Sequence, residues 1–149
     1  MNPFQETVID HLNIGVSDAE RSRMFYEAAL APLGLRLLHS IPLEHAELGG
    51  EQQKMGGTIH GFGRQYKPLF WIVGNARVGT ATHFAFIAET CEQVDAFHTA
   101  AIAAGGIDNG QPGIRRYHDN YYGAFVLDPD GINIEAVCHS SSRPLIDAT

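Results

Sequence analysis

The chain has little positive charge and few cysteines. Its 149 residues include 10 Lys and Arg against 17 Asp and Glu, which gives a formal net charge of -7. No basic stripe is available for phosphate backbones, so nucleic acid is not an expected partner, and an anionic membrane surface would repel the chain. The two cysteines, Cys91 and Cys138, are too few for a disulfide scaffold and are interpreted as free thiols.

Long apolar runs are also lacking. No segment approaches the length that a membrane-spanning helix requires, and the start, MNPFQETVID, has neither the basic nor the apolar region of a secretory signal. We therefore expect a cytoplasmic protein with no membrane partner. The length is that of one ordinary domain, which is predicted to cover residues 1–149.

An internal repeat is the clearest organising feature. The segment HLNIGVSDAERSRMFYEAALAPLGL, which begins at His11, aligns without gaps to HFAFIAETCEQVDAFHTAAIAAGGI, which begins at His83. Each half then has a capping box, in which side chain and backbone satisfy each other at a helix start: Ser17 with Glu20, and Thr90 with Gln93. Apolar residues at helical spacing predict one helix per half. Strand-like segments follow at 35–41, 57–62, 69–73, 107–109, 121–127 and 132–138.

These elements define an α+β fold of two βαβββ modules, at about 7–75 and about 81–139. We expect their strands to form a curved, half-open mixed sheet around a metal or ligand cavity, with the helices on the outside. The sequence DPDG, at residues 128–131, predicts the turn of the last hairpin. Residues 42–56 are interpreted as an exposed loop or partial lid, and 140–149 as a mobile tail.

Alternation along the strands places three polar side chains on sheet faces that point away from the helices. In the opening strand the apolar residues are predicted to pack under the helix, which leaves His11 on the opposite side. His83 repeats this geometry in the second module, and Glu135 takes the corresponding face of the last strand. If both sheets curve around a common hollow, the three side chains line it together.

Two imidazoles and one carboxylate suit divalent iron, manganese, nickel or zinc, with positions left open for water or substrate. A cation would also offset the cost of holding Glu135 in an apolar hollow. Taken singly, an inward His is more often a hydrogen-bonded pocket residue, and Glu135 could pair with Arg115 or Arg116. The joint placement of the three residues favours a metal site.

The sequence resembles the vicinal oxygen chelate superfamily, which groups glyoxalases, extradiol dioxygenases and bleomycin resistance proteins. The segments that carry the resemblance are HLNIGVSD, RSRMFYEAALAPLG, HFAFIAET and, most specifically, FVLDPDGINIEAV. The resemblance implies that His11, His83 and Glu135 occupy the metal positions of the family. It also implies a divalent-metal-dependent lyase, isomerase or ring-cleaving dioxygenase that acts on a small vicinal-oxygen substrate by Lewis-acid catalysis.

One position departs from the glyoxalase pattern. Alignment of the closing strands, LFWIV with NIEAV, puts Trp71 opposite Glu135. Lactoylglutathione-type glyoxalases usually carry there a fourth ligand carboxylate that also moves protons. Trp71 can do neither, which weakens a glyoxalase I assignment and makes the chain more similar to the dioxygenase branch.

The dioxygenase branch uses an additional His and Tyr near the metal, and RRYHDNYYGAF supplies candidates. Alternation from Phe125, which we place on the packing face, puts Tyr121 on that same face and turns Tyr122 toward the hollow. The candidate catalytic residues are therefore Tyr122 and His118.

Three further residues are candidates for the substrate pocket. Trp71 would supply an aromatic wall, although a packing role fits it equally well. His60 and Arg64, both in GTIHGFGR, could face the hollow or bind an anionic substrate group, and an exposed loop position is the simpler interpretation of Arg64.

Two functions of different classes stay open. The first is the metalloenzyme, and the second is a metal-free binding protein of the antibiotic-sequestering, bleomycin-resistance type. The complete set of His11, His83 and Glu135 favours the enzyme, because Glu135 without an ion would be poorly compensated. Edge strands and the resemblance predict a homodimer, with modules that pair either within one chain or across two.

Overall fold

The computed structural model describes residues 9–47 and 57–140. The described elements, in chain order, are β1 (Leu12–Gly15), α1 (Ala19–Leu30), β2 (Arg36–Pro42), β3 (Thr58–Arg64), β4 (Lys67–Val73), β5 (His83–Ile87), α2 (Cys91–Ala103), β6 (Ile107–Ile114), β7 (Tyr122–Leu127) and β8 (Asn133–Cys138). Most of the loop predicted at 42–56, and all but one residue of the tail predicted at 140–149, lie outside the described residues. No helix of the described chain is long and apolar enough to cross a membrane.

The strands form two mixed four-stranded sheets with the same topology. The first has the order β1-β4-β3-β2 and the second the order β5-β8-β7-β6. In each sheet the opening strand runs parallel to the last strand of its module, and the other neighbours are antiparallel. The sheets are open, and the predicted α+β fold of two βαβββ modules is confirmed.

The helix starts agree with the sequence in one module only. Thr90 begins α2 with the predicted capping box. The box predicted at Ser17 is wrong, because Asp18 is the residue that caps α1. The Ser17 hydroxyl instead donates a hydrogen bond to Asp130, in the turn between β7 and β8. This side chain is therefore used in a contact between the modules.

The core lies where the two helices pack against each other and against both sheets. Apolar residues of both modules form one buried cluster, with Phe25 from α1 and Phe97 from α2 among its members. The ring of Phe70 in β4 lies with its centroid 5.3 Å from that of Phe84 and 5.3 Å from that of Phe86, both in β5. The helix-facing sides of the sheets therefore meet in this core.

A buried hydrogen bond links the modules through the DPDG turn. Tyr26 of α1, which is fully buried, donates its OH to Oδ2 of Asp128 at 2.6 Å. Oδ1 of Asp128 accepts the backbone N–H groups of Asp130 and Ile132. Burial raises the pKa of the Tyr26 hydroxyl and that of the Asp128 carboxyl. The turn predicted at 128–131 is confirmed, with Gly131 at a φ of 85°.

Strands β1 and β5 are the edges of separate sheets, since β1 pairs with β4 alone and β5 with β8 alone among the described strands. A cavity of about 390 Å³, lined mainly by apolar side chains of β1, β4 and β5, lies between these edges. Ile9 and Ile87 border it and are 72% and 59% exposed. This cavity lies between the modules, and its lining does not include His11, His83 or Glu135.

Candidate functional site

Glu135 is the centre of a polar cluster on the outer face of the second sheet. It lies in β8, opposite Ala85 of β5 and Phe125 of β7. Its chain neighbours Ile134 and Ala136 are fully buried on the helix side, as alternation predicts. Although it faces away from the core, Glu135 is only 2% exposed. Its carboxylate is therefore removed from bulk water and depends on nearby groups for its stabilisation.

Both carboxylate oxygens of Glu135 have neighbours. Oε1 accepts a hydrogen bond from the OH of Tyr121 at 2.5 Å, and Oε2 lies 3.1 Å from Nε2 of His83. Burial and the adjacent carboxylate raise the pKa of Tyr121 to about 12, so this hydroxyl stays neutral at physiological pH. Among the described residues, neither Arg115 nor Arg116 forms an ion pair with Glu135.

The second ring nitrogen of His83 fixes the tautomer of the imidazole. Nδ1 lies 2.9 Å from the backbone carbonyl oxygen of Asn133, which can only accept a hydrogen bond. Nδ1 therefore carries a proton and donates it. When Nε2 is protonated as well, the imidazolium donates to Oε2 of Glu135; when it is not, Nε2 and Oε2 are two adjacent potential metal ligands, with the imidazole oriented by a backbone carbonyl.

Tyr121, and not Tyr122, is the tyrosine at Glu135. Tyr122 is 2% exposed and donates its OH to a carboxylate of α2 at 2.5 Å, so the predicted orientation toward the hollow is wrong. The reason is Phe125, whose large apolar side chain predicts the packing face. Phe125 lies half-buried on the outer face, while the smaller Ala124 and Val126 fill the helix side.

His118 lies beside Tyr121, with ring centroids 5.5 Å apart. Its Nδ1 accepts the backbone N–H of Asn120 at 3.2 Å. Its Nε2 therefore carries the proton and donates it to Nδ1 of His139 at 2.9 Å. The ring of His139 also lies 5.3 Å from that of Tyr121. The predicted packing-face position of Tyr121 is therefore wrong, and His139 is not predicted from the sequence, although the hairpin register around the DPDG turn places the two residues opposite each other.

His11 lies on the outer face of the first sheet, away from His83 and Glu135. Its Nδ1 is 2.7 Å from a carboxylate oxygen of Asp10, and its side chain is 54% exposed. It lines a separate cavity of about 490 Å³ beside Trp71. Within residues 9–47 and 57–140, no group of three or more His, Cys, Asp or Glu side chains could hold a metal ion. One chain thus brings together two of the three predicted ligands.

Trp71 forms an aromatic surface in the cavity beside His11. Its six-membered ring lies flat over Gly61, because a Cβ atom at position 61 would be 2.6, 2.7 and 2.8 Å from three adjacent ring atoms. The ring of His39 is parallel to the indole within 9°, with centroids 6.0 Å apart. The lack of a side chain at Gly61 therefore allows the indole to lie along the sheet and to border the cavity.

His60 and Arg64 face the helix side of the first sheet. His60 is 2% exposed, with Nδ1 2.8 Å from the Ser40 hydroxyl and Nε2 3.4 Å from the Glu20 carboxylate. Burial lowers the pKa of His60. Arg64 donates to a backbone carbonyl after α1 at 2.7 Å and borders the cavity between β1 and β5. Neither residue shares the outer face that carries Trp71.

Known proteins agree with this two-module architecture. The family model for the Glyoxalase/Bleomycin resistance protein/Dioxygenase superfamily matches residues 8–136. The chain belongs to this superfamily. Among the solved structures of the superfamily, a glyoxalase/bleomycin resistance protein from Albidiferax ferrireducens is 29% identical, has a TM-score of 0.64, and aligns over 93% of this chain and 100% of that one.

More distant superfamily structures support the fold alone. A glyoxalase/bleomycin resistance protein/dioxygenase family enzyme from Burkholderia phytofirmans is 18% identical, with a TM-score of 0.61 over 90% of this chain and 100% of that one. A glyoxalase I mutant from Zea mays is 24% identical, with a TM-score of 0.64 over 87% of this chain and 46% of that one. None of the curated proteins matches the chain.

Proposed function

We propose that this superfamily member is a divalent-metal-dependent enzyme that acts on a small vicinal-oxygen substrate, with His11, His83 and Glu135 as metal ligands. The contact between His83 and Glu135 carries the proposal. Nε2 of His83 and Oε2 of Glu135 lie 3.1 Å apart, and a divalent ion that binds both atoms takes the place of the proton that an imidazolium would share with the carboxylate. Two ligand atoms that are each about 2.1 Å from one ion, at a right angle, are separated by about 3 Å.

Two imidazoles and a carboxylate are suitable ligands for a divalent ion. One chain brings together two of these three side chains, His83 and Glu135. We propose that a homodimer supplies the rest, with module one of each chain beside module two of its partner. His11 of the partner subunit then joins His83 and Glu135. In such a dimer the outer face of module one meets the outer face of the partner's module two around a shared hollow. A closed two-fold arrangement gives two equivalent sites.

The exposed apolar edges support this arrangement. Unpaired edge strands with large apolar side chains are rarely left open to water, because they promote uncontrolled association. Among the described strands β1 and β5 each pair on one side only, and Ile9 and Ile87 beside them are 72% and 59% exposed. Pairing of β1 with β5 of a second copy covers both edges and the apolar cavity between them.

The chemistry expected of this hollow follows from its residues. A bound divalent ion supplies Lewis-acid polarisation of two adjacent substrate oxygens. Trp71 offers a flat apolar wall for a planar substrate, and it cannot act as a proton-transferring base. This favours the dioxygenase branch over a glyoxalase I reaction. His118, at the rim beside Tyr121, is the candidate group for moving a proton between the hollow and water.

Metal content and oligomeric state test the proposal. Protein purified without chelator is expected to be a dimer by light scattering and to hold about one divalent ion per chain by elemental analysis. His11→Ala, His83→Ala and Glu135→Gln should each lose the ion. His45→Ala removes an exposed imidazole that lines the same cavity as His11 but is not a proposed ligand, so it serves as the control and should retain the ion. Metal content that is unchanged in all three ligand variants would refute the assignment.

The alternative is a metal-free small-molecule-binding protein of the bleomycin-resistance type. The cavity of about 490 Å³ beside Trp71 favours it, since ligand pockets commonly have such volumes and aromatic walls. A protein that is free of metal, and whose fold and ligand binding are unaffected by chelator, would support this alternative.

A further inference from the structure

We propose that Tyr121 is a positioning residue, which makes Glu135 bind the metal ion through Oε2 alone. The inference rests on the metal site proposed above and extends it to the manner of coordination. The OH of Tyr121 donates to Oε1 at 2.5 Å, whereas Oε2 faces Nε2 of His83 at 3.1 Å. The two oxygens therefore have different partners: Oε1 accepts a hydrogen bond from a neutral hydroxyl, and Oε2 is directed at the other proposed ligand, His83.

The backbone of β7 beside Glu135, at Gly123, provides room for this hydrogen bond. A Cβ atom at Gly123 would lie 3.0 Å from Oε1 of Glu135 and 3.3 Å from Cε1 of Tyr121. A side chain at this position would press on the hydroxyl and on the oxygen that it holds. Because position 123 is a glycine, the tyrosine ring can lie across the strand and reach the carboxylate.

Neighbouring rings hold the Tyr121 side chain in place. Its ring centroid lies 4.9 Å from that of Tyr117, 5.5 Å from that of His118 and 5.3 Å from that of His139. The hydrogen bond between His118 and His139 ties two of these rings together. The hydroxyl is thus presented to Oε1 by a packed aromatic group, and not by a freely rotating side chain.

Single-oxygen coordination has a chemical purpose in a site with three protein ligands. A carboxylate that binds through both oxygens occupies one more position on the ion. A substrate that binds through two adjacent oxygens needs those positions free. A hydrogen bond that engages Oε1 opposes the two-oxygen mode, as outer hydrogen bonds to ligating carboxylates generally do.

Cobalt binding to the full-length protein tests the inference. Co²⁺ alone is the probe, and its visible absorption reports the coordination number directly. Tyr121→Phe is expected to weaken Co²⁺ binding about 10- to 100-fold and to lower the absorption intensity, as Oε1 enters the coordination sphere. Tyr117→Phe is the control: it removes the hydroxyl of a neighbouring ring that is 75% exposed, and both readouts should match those of the wild type.

Gly123→Ala gives an independent variant, because it retains the Tyr121 hydroxyl and crowds Oε1. It should lower the absorption intensity in the same sense as Tyr121→Phe. A Tyr121→Phe protein with the affinity and the spectrum of the wild type would overturn the inference and leave the proposed metal site standing. A wild-type protein that binds no Co²⁺ would overturn both.

Discussion

Trp71 occupies in the first module the position that Glu135 occupies in the second. Strand pairing places Trp71 opposite Asn13 and Glu135 opposite Ala85. Asn13 and Ala85 are equivalent residues of the internal repeat. The alignment made from the sequence is therefore confirmed by the register of the strands. A hollow lined by one first module and one second module therefore contains the carboxylate of Glu135 and, at the equivalent position, the indole of Trp71.

Trp71 is the single tryptophan of the chain, so its fluorescence reports on this hollow. We predict that Co²⁺ quenches this fluorescence in the wild type, because the proposed dimer places Trp71 of the partner subunit beside the ion. The midpoint of quenching should move at least about 10-fold in His11→Ala and in Glu135→Gln. Quenching with the same midpoint in the wild type and in both variants would show that the ion binds elsewhere.

The buried contact between Tyr26 and Asp128 is predicted to stabilise the chain. Tyr26→Phe leaves an oxygen of a buried carboxyl without its donor, which costs about 1.5–3 kcal/mol of the free energy of unfolding. Urea unfolding measures this loss. The matched variant Tyr117→Phe, at a residue 75% exposed, should change the free energy by less than about 0.5 kcal/mol. Equal stability of Tyr26→Phe and the wild type would contradict the assigned role.

His60 is predicted to make the fold sensitive to mild acid. Burial lowers its pKa below the usual 6.5, so the unfolded chain takes up this proton more readily than the folded chain. The contribution of His60 to stability is therefore complete above about pH 6.5 and decreases as the pH falls below that value.

Urea unfolding at several pH values measures this effect. Between about pH 7 and about pH 5.5, the free energy of unfolding should fall more steeply in the wild type than in His60→Gln. The other titrating groups are common to both proteins and cancel in the comparison. Identical slopes would contradict the prediction.

The sequence patterns predict the local structure well where apolar and polar residues alternate along a strand. Ile134 and Ala136 are buried and Glu135 points the other way, as alternation requires. Alternation misleads in β7, because Phe125 is a large apolar residue on the outer face and its smaller neighbours fill the core. The residues of β6, IDNGQPGI, have little strand propensity, and that strand is longer than predicted because it pairs with β7.

The placement of the two modules could not be predicted from local patterns. Whether His11 reaches Glu135 depends on which edges of the sheets meet, and the repeat is compatible with pairing within a chain or between chains. The deciding contacts are tertiary: Phe70 against the rings of β5, and Tyr26 against the turn at Asp128. They bring the helix sides of the modules together.

Mixed dimers of two defective chains test the central claim most directly. His11→Ala and Glu135→Gln chains with different affinity tags are co-expressed, and the heterodimer is isolated by tandem purification. If His11 acts across the dimer, one site of the heterodimer carries both substitutions and the other carries none. Elemental analysis should then find about one divalent ion per heterodimer, and none in either parent homodimer. A heterodimer without metal, beside a wild-type dimer that holds it, would contradict the shared site.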